Sequence, residues 1–248
     1  MTTGLIVLVT ILGAAIATMP LYAASSARAR PDPLESSARG TFVLGGFVRN
    51  WFYWFIGPVE RACLRLGLSP LTFNLLGVAF GAAAGVAFAF GRLDLGGWGV
   101  LLGGAADVLD GRIARAQGVA GPKGAFLDST LDRFAEFGAF VGLAVLFRES
   151  PLGVALVVTA LGGSLLVSYA RARGEAVGVV CKLGVMQRAE RLLMVGFGGI
   201  LDPVVSVWLG RPQGTVLLPA LALVAVGTVG TAVFRTVWIT RRLPELDD

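Results

Sequence analysis

Long apolar runs follow one another through most of this sequence, and they leave few ways for the chain to fold. Six of them are long enough to cross a lipid bilayer as a helix, which takes about 20 residues. None shows the strict alternation that a membrane β-barrel requires. The pattern predicts an all-α integral membrane protein built on a six-transmembrane-helix bundle. The runs cover roughly residues 71–91, 95–116, 124–147, 151–173, 189–209 and 215–240.

Composition supports lipid as the solvent around these helices. Hydrophobic residues make up 55% of the 248 residues and charged residues only 15%, which is too apolar for a soluble domain of this size. The net charge of +5 comes from clustered basic residues, which suit anionic lipid headgroups or phosphate substrates. No basic tail with interleaved aromatic residues points to nucleic acid. The lack of histidine excludes a histidine-based triad.

Basic residues alternate between dense and sparse connections along the chain. Dense groups lie within 112–133, 171–191 and 235–242. The positive-inside rule places the dense side in the cytoplasm. We therefore expect a multi-pass protein of a bacterial-type cytoplasmic membrane, with both ends of the six-helix core and every polar cluster facing the cytoplasm. The sparse connections carry Arg92, Arg148 and Arg211.

Two further segments precede the six runs. Residues 3–24 are uncharged and predict an additional N-terminal transmembrane segment, with a cleaved signal peptide as the alternative. The aromatic stretch WFYWF and the spaced arginines near it predict helices lying in the membrane interface. The predicted organisation is an N-terminal anchor at 1–27, a linker at 28–41, juxtamembrane amphipathic helices at 42–70, the six-helix domain at 71–242 and a cytoplasmic tail at 243–248.

Four aspartates interrupt this apolar pattern between the second and third runs. Asp107 and Asp110 are three residues apart, and Asp128 and Asp132 are four apart, so each pair shares one face of a helix. The stretch QGVAGPKG between the pairs predicts a turn. The two helices are then antiparallel neighbours, and we expect all four carboxylates to converge near their cytoplasmic ends.

Carboxylates this close repel one another, and divalent cations would relieve the repulsion. Oxygen ligands suit Mg²⁺, Mn²⁺ or Ca²⁺, and a two-ion site in a membrane cleft could hold a diphosphate. Arg115 could pair with phosphate oxygens, while the small Gly111 and Ala114 would let a flat group approach the helix. The competing interpretation is structural, with the aspartates paired to Arg112, Arg115, Lys123 and Arg133.

The spacing of these residues resembles the motif of the CDP-alcohol phosphotransferase family, D-x2-D-G-x2-A-R-xn-G-x3-D-x3-D. The resemblance covers about residues 42–242 and implies a reaction. A CDP-linked lipid such as CDP-diacylglycerol is cleaved, CMP is released, and the lipid phosphate is attached to a polar alcohol. The resemblance also implies a homodimer. All eight fixed positions are present, as Asp107, Asp110, Gly111, Ala114, Arg115, Gly124, Asp128 and Asp132.

The resemblance further implies a role for each aspartate. Asp107, Asp110 and Asp128 would be ligands of two Mg²⁺ or Mn²⁺ ions. Asp132 would be shared between metal binding and catalysis, as the base that takes the proton from the acceptor hydroxyl. A hydroxyl is a weak nucleophile at neutral pH, so the chemistry calls for such a base.

Other residues would hold the CDP-lipid. Thr72 or Asn74 would either touch the nucleotide or only cap the helix that begins after Pro70. The motif residues implied to bind the CDP-lipid are Gly111, Ala114, Arg115 and Gly124.

A second basic stretch, residues 168–193, resembles the SY-x-K-A-R … ER-x-ER region of phosphatidylinositol-phosphate synthases. The resemblance implies a phosphorylated acceptor such as inositol phosphate, held by Arg171, Arg191 and Arg235. Arg171 stands where that family usually has lysine, and Gln187 opens QRAER in place of glutamate. Glycerol-3-phosphate is also an anionic alcohol, so a phosphatidylglycerophosphate synthase is an alternative. The positive-inside charge alone is another explanation for these arginines.

Two alternatives to an enzyme remain, a transporter and a non-catalytic scaffold. An ion or proton transporter could use the aspartates as a relay, but that predicts carboxylates spread across the membrane depth. A catalytically silent scaffold is disfavoured by the intact motif. Glu136 continues the face of Asp128 and Asp132, and it is either a functional carboxylate or the partner of an arginine.

Overall fold

The computed structural model describes residues 3–26 and 45–243, and all the regular structure in these ranges is helical. This confirms the all-α prediction for the part of the chain that is described. The helices are α1 (Thr3–Ala17), α2 (Met19–Ser26), α3 (Gly45–Arg65), α4 (Pro70–Ala89), α5 (Leu93–Ala116), α6 (Pro122–Leu146), α7 (Pro151–Ala176), α8 (Arg188–Trp208) and α9 (Leu217–Thr240).

Helices α4 to α9 each coincide with one of the six apolar runs, and local sequence signals set where several of them begin. Pro70, Pro122 and Pro151 start α4, α6 and α7, where the missing proline N–H would have no partner in the helix anyway. Ser69 and Ser150 accept hydrogen bonds from backbone N–H groups in the first turns of α4 and α7. These starts fix which end of each helix carries its polar residues.

Four of the described helices, α4, α7, α8 and α9, are long and apolar enough to cross a membrane. Apolar side chains such as Val86 and Val226, 59% and 74% exposed, lie on their outer surfaces, as expected where lipid is the solvent. Helices α5 and α6 are similar in length, at 24 and 25 residues, but they carry the charged stretch of the four aspartates. The structure therefore supports a membrane-embedded helical protein, and the count of six spans stays a prediction.

Helix packing brings the charged ends of α5 and α6 together around α4. Helix α4 packs against both of them, α5 also packs against α8, and α9 packs against α7 and α8. Glycines make the contact between α4 and α6 unusually close, since a Cβ on Gly142 would collide with the backbone of Gly85. This close contact holds α6 in a fixed register against α4.

The N-terminal region differs from a simple anchor. The helix breaks at Thr18, so that α1 has 15 residues and α2 has 8, each short of the length a single span needs. The indole Nε1 of Trp51, on α3, donates to Thr18 Oγ1 at 3.0 Å, and α1 contacts α5 and α8. The additional N-terminal span stays a prediction. The linker at 28–41 and residues 244–248 of the tail lie outside the described residues.

Asp202 organises the other end of the bundle, where α8 leads into α9. Its fully buried carboxylate accepts hydrogen bonds from Ser206 Oγ at 3.1 Å and from Gly214 N at 2.8 Å. It also accepts from the backbone N–H groups of Val216 and Leu217, at 2.8 and 2.9 Å. These contacts satisfy backbone donors at the start of α9, which would otherwise be unpaired inside the protein.

Replacing Asp202 with asparagine should therefore destabilise the protein. The amide has one acceptor oxygen, so its NH₂ group would face backbone donors, and we expect a loss of about 2 kcal/mol. Ser206→Ala is the matched control, since it removes one of the four hydrogen bonds and should cost only about 1 kcal/mol. Thermal unfolding in detergent at one scan rate measures both. Equal midpoints for wild type and Asp202→Asn would contradict this structural role.

Candidate active site

Three aspartate side chains from two helices meet at one end of the bundle. Asp107 and Asp110 lie two turns from the end of α5, and Asp128 lies in the second turn of α6. One carboxylate oxygen from each of these three residues lies within 4.8 Å of the others. Asp132, one turn along α6, lines a small cavity together with Asp107 and Asp110. The structure thus brings all four sequence-predicted aspartates to one place.

The arginine that compensates these charges comes from α8. Arg188 Nη1 lies 2.5 Å from Asp107 Oδ1, and its Nη2 lies 2.6 Å from Asp132 Oδ1. One guanidinium therefore bridges carboxylates on α5 and α6. Sequence reasoning did not assign Arg188 to the site, although it occupies the first arginine of QRAER, the stretch compared with ER-x-ER.

The salt bridges that the structural interpretation expected are mostly absent among the described residues. Arg112 pairs with Glu60 on α3 at 2.5 Å, and its guanidinium lies over the Tyr53 ring, 5.1 Å from the centroid. Arg133 lies 3.7 Å from Asp132 Oδ2 and also donates to a backbone carbonyl of its own helix. Apart from Arg133, the cations weighed in that interpretation do not form the ion pairs that hold the cluster.

One carboxylate oxygen of the cluster has no protein partner among the described residues. Asp128 Oδ1 is buried and has no hydrogen-bond partner among the described residues. A buried carboxylate oxygen without a partner is costly, whereas a divalent cation would satisfy it and reduce the repulsion in the cluster. The donor set, made of carboxylate oxygens close together, fits Mg²⁺ or Mn²⁺.

The residues predicted to hold the CDP-lipid lie around the same end of the bundle. The Arg115 guanidinium lies beside Gly111, where a Cβ would be 3.4 Å from Arg115 Nη1, an ordinary van der Waals contact. Ala114 is half-buried, and Gly124 is exposed in the first turn of α6. None of these four residues lines the small cavity of the aspartates, and their role in binding the CDP-lipid stays a prediction.

Thr72 and Asn74 differ in their relation to the cluster. The N-cap residue of α4 is Ser69, which accepts from Thr72 N, and Asn74 Nδ2 donates to Pro70 O at 3.3 Å. The Thr72 hydroxyl lies 3.0 Å from the Ser69 hydroxyl. Asn74 lines the small cavity beside Asp107, Asp110 and Asp132. Of the two, Asn74 is the side chain in contact with the cavity of the aspartates.

The predicted acceptor residue Arg191 is buried next to this cluster. Its Nε donates to Glu136 Oε1 at 3.0 Å, and Ser164 Oγ donates to the same oxygen at 2.7 Å. Glu136 is therefore the partner of an arginine, one of the two roles that its position in the sequence allowed. Arg188, Arg191 and Glu136 line a second cavity, of about 30 Å³, whose wall shares Gly77 and Ala135 with the small cavity of the aspartates.

Arg235 and Arg171 have different surroundings. The buried Arg235 donates to Leu183 O at 2.8 Å and to Val167 O at 2.9 Å, and it thereby holds the loop that leads into α8. Arg171 is exposed and pairs with Glu175 at 2.8 Å on its own helix. The three arginines predicted for the acceptor thus have separate sets of partners, and their common role stays a prediction.

Comparison with known proteins agrees with this geometry. A family model described as CDP-alcohol phosphatidyltransferase matches residues 68–238. A phosphatidylinositol phosphate synthase of Streptomyces avermitilis is 36% identical over 220 residues, which cover 84% of this chain and 87% of that protein. An archaetidylinositol phosphate synthase of Methanothermobacter thermautotrophicus is 31% identical over 189 residues, covering 76% of this chain and 90% of that protein.

Solved structures of a Mycobacterium tuberculosis phosphatidylinositol phosphate synthase share the fold. The structure with CDP-DAG bound has a TM-score of 0.65 and 34% identity, and the match covers 77% of this chain and 96% of that chain. The complex with manganese and citrate has a TM-score of 0.66 and 33% identity, covering 77% of this chain and 91% of that chain. The chain described here belongs to the CDP-alcohol phosphatidyltransferase family.

Proposed function

We propose that this enzyme transfers the phosphatidyl group of CDP-diacylglycerol to inositol phosphate and releases CMP. The observation that carries the proposal is the aspartate cluster of α5 and α6, which adjoins a cavity lined by two arginines, Arg188 and Arg191. Carboxylates suit the cations that a diphosphate donor needs, and guanidinium groups suit a phosphorylated acceptor. Membership in an enzyme family also sets aside the transporter and scaffold hypotheses.

Each aspartate has a role in this proposal. Asp107, Asp110 and Asp128 hold two divalent cations, Mg²⁺ or Mn²⁺, and Asp132 is shared between metal binding and the role of base. The cations supply charge neutralisation at the diphosphate. Asp132 takes the proton from the acceptor hydroxyl as a new bond forms between that oxygen and the lipid phosphate. The bond between the lipid phosphate and CMP breaks, and CMP leaves.

The remaining site residues bind the two substrates. Arg171, Arg191 and Arg235 hold the acceptor phosphate, and of these Arg191 lines the cavity. The CDP-lipid is held by Thr72, Gly111, Ala114, Arg115 and Gly124.

The protein spans a bacterial-type cytoplasmic membrane six times, as helices α4 to α9, and forms a homodimer. The active site faces the cytoplasm, because the end of the bundle with the aspartates is also the end with the dense basic connections. Such a site lies where a donor embedded in the bilayer and a water-soluble acceptor can meet. The N-terminal segment and α3 lie outside the part of the chain that the family model matches.

An acceptor screen tests the proposal. Purified protein in detergent with Mg²⁺ or Mn²⁺ and CDP-diacylglycerol should release CMP when inositol phosphate is added. Glycerol-3-phosphate, inositol and serine, each supplied alone, should give little release. Release with glycerol-3-phosphate in place of inositol phosphate would identify a phosphatidylglycerophosphate synthase. No release with any of the four would overturn the enzymatic proposal.

Arg191→Ala should raise the KM for the phosphorylated acceptor about tenfold, because one charge-assisted contact of roughly 1.4 kcal/mol is lost. The KM for the CDP-lipid should change much less. Steady-state kinetics with each substrate varied in turn measures both constants. Arg173→Ala is the control, since Arg173 is exposed at the end of α7 and has no assigned role at the site. Equal effects of Arg191→Ala on both KM values would refute its assignment to the acceptor.

A further inference from the structure

Arg188 has an unusual position among the proposed metal ligands. Its guanidinium contacts one oxygen each of Asp107 and Asp132, on two different helices. The three side chains are poorly exposed, at 23% for Arg188, 28% for Asp107 and 15% for Asp132. Ion pairs that are shielded from water in this way are screened little by salt.

A divalent cation held by the aspartates and this guanidinium would both contact Asp107. Asp107 also belongs to the trio of carboxylates whose oxygens lie within 4.8 Å of one another. A cation bound there would stand close to the positive charge of Arg188, so each would raise the free energy of the other. Arg188 also lines the larger cavity with Arg191 and Glu136, so its side chain already borders a space outside the cluster.

We propose that Arg188 competes with the divalent cations for Asp107 and Asp132, and that binding of the ions displaces its guanidinium from these carboxylates toward the neighbouring cavity. The inference rests on the proposed function only in taking the aspartates as the metal site. Arg188 acts in this way as an internal counterion that keeps the four carboxylates together before the ions arrive. It is a positioning residue, and its presence lowers the affinity of the site for metal.

Binding of Mn²⁺ alone tests this competition without any turnover. The electron paramagnetic resonance signal of free Mn²⁺ is titrated with purified protein in detergent, with no donor or acceptor lipid present. Arg188→Gln should lower the Kd for Mn²⁺ about tenfold, because it removes the competing charge and its two ion pairs. Arg188→Lys keeps the charge but cannot bridge both carboxylates as a planar fork does, so its Kd should fall by a smaller factor.

Arg133→Gln is the matched control. It removes the same charge next to Asp132, but Arg133 lies 3.7 Å from that carboxylate and does not bridge two helices. Its Kd for Mn²⁺ should stay within about twofold of wild type, because the loss of one nearby positive charge has only a small effect on the site. A fall in Kd with Arg188→Gln alone supports the proposal. An unchanged or higher Kd, an equal fall with Arg133→Gln, or no Mn²⁺ binding by the wild type would each overturn it.

Failure of the competition between Arg188 and Mn²⁺ can be distinguished from failure of the proposed phosphatidyl transfer. A protein that releases no CMP with any acceptor can still show tighter Mn²⁺ binding in Arg188→Gln, which would leave the competition intact. Normal transfer to inositol phosphate together with an unchanged Kd would instead refute the competition alone. Midpoints of thermal unfolding, measured without Mn²⁺, verify that each variant is folded, and Arg188→Lys provides the test if Arg188→Gln does not fold.

Discussion

Asp132→Asn is expected to lower kcat by about a thousandfold, in the range typical for loss of a positioned general base. Asparagine keeps the shape of the side chain and an oxygen that can accept from Arg188, so the packing around this turn of α6 should survive. Binding of the CDP-lipid should be nearly unchanged, because the base acts on the acceptor hydroxyl. CMP release with saturating substrates measures the rate, and titration with the donor lipid measures binding.

Asp94→Asn is the control for this substitution. Asp94 lies in the first turn of α5, at the end opposite to Asp107 and Asp110, and it undergoes the same chemical change. It should retain the rate of the wild type. Full turnover in Asp132→Asn would remove this residue as the base, whereas loss of both rate and donor binding would indicate that Asp132 acts mainly as a metal ligand.

Asp128→Asn should weaken binding of Mg²⁺ or Mn²⁺ by about a hundredfold, because a neutral amide oxygen replaces a charged ligand. Turnover should fall accordingly and recover in part at high metal concentration.

In the wild type, a chelator should abolish turnover, and adding back Mg²⁺ and Mn²⁺ separately would show which ion the enzyme uses better. Metal titrations of the rate, with and without the substitution, provide the measurement.

The temperature of unfolding distinguishes an Asp128→Asn variant that has lost a metal ligand from one that is misfolded. Asp128 faces other carboxylates, and its Oδ1 has no partner among the described residues, so the substitution relieves repulsion. In the absence of divalent ions, Asp128→Asn should unfold at the same temperature as the wild type or higher. A variant that unfolds at a lower temperature and keeps the metal dependence of the wild type would contradict the assignment of Asp128 as a ligand.

Much of the bundle was predictable because its signals are local. Each helix from α4 to α9 follows one apolar run, and proline marks the first residue of α4, α6 and α7. The aspartates were equally accessible, since Asp107 and Asp110 share one helix face, as do Asp128 and Asp132. Such features need only the periodicity of one helix and the turn that follows it.

Contacts between distant segments could not be predicted in the same way. Arg188 reaches Asp107 because α5 packs against α8, and no spacing in the sequence encodes that choice of neighbours. Asp202 looks like a misplaced charge in an apolar run until the loop before α9 supplies its donors. The break at Thr18 was missed because the prediction counted apolar residues and gave no weight to Pro20, which has no backbone N–H to donate.

The ion pair between Glu60 and Arg112 has a mechanical consequence. Arg112 follows Asp110 and Gly111 directly in the chain, and its side chain is held by Glu60 and Tyr53 of α3. Helix α3 also presents exposed aromatic side chains, Phe47 and Trp54. A tilt of α3 would therefore pull on the helical turn that carries the aspartates. The orientation of α3 is thereby mechanically connected to the spacing of the carboxylates.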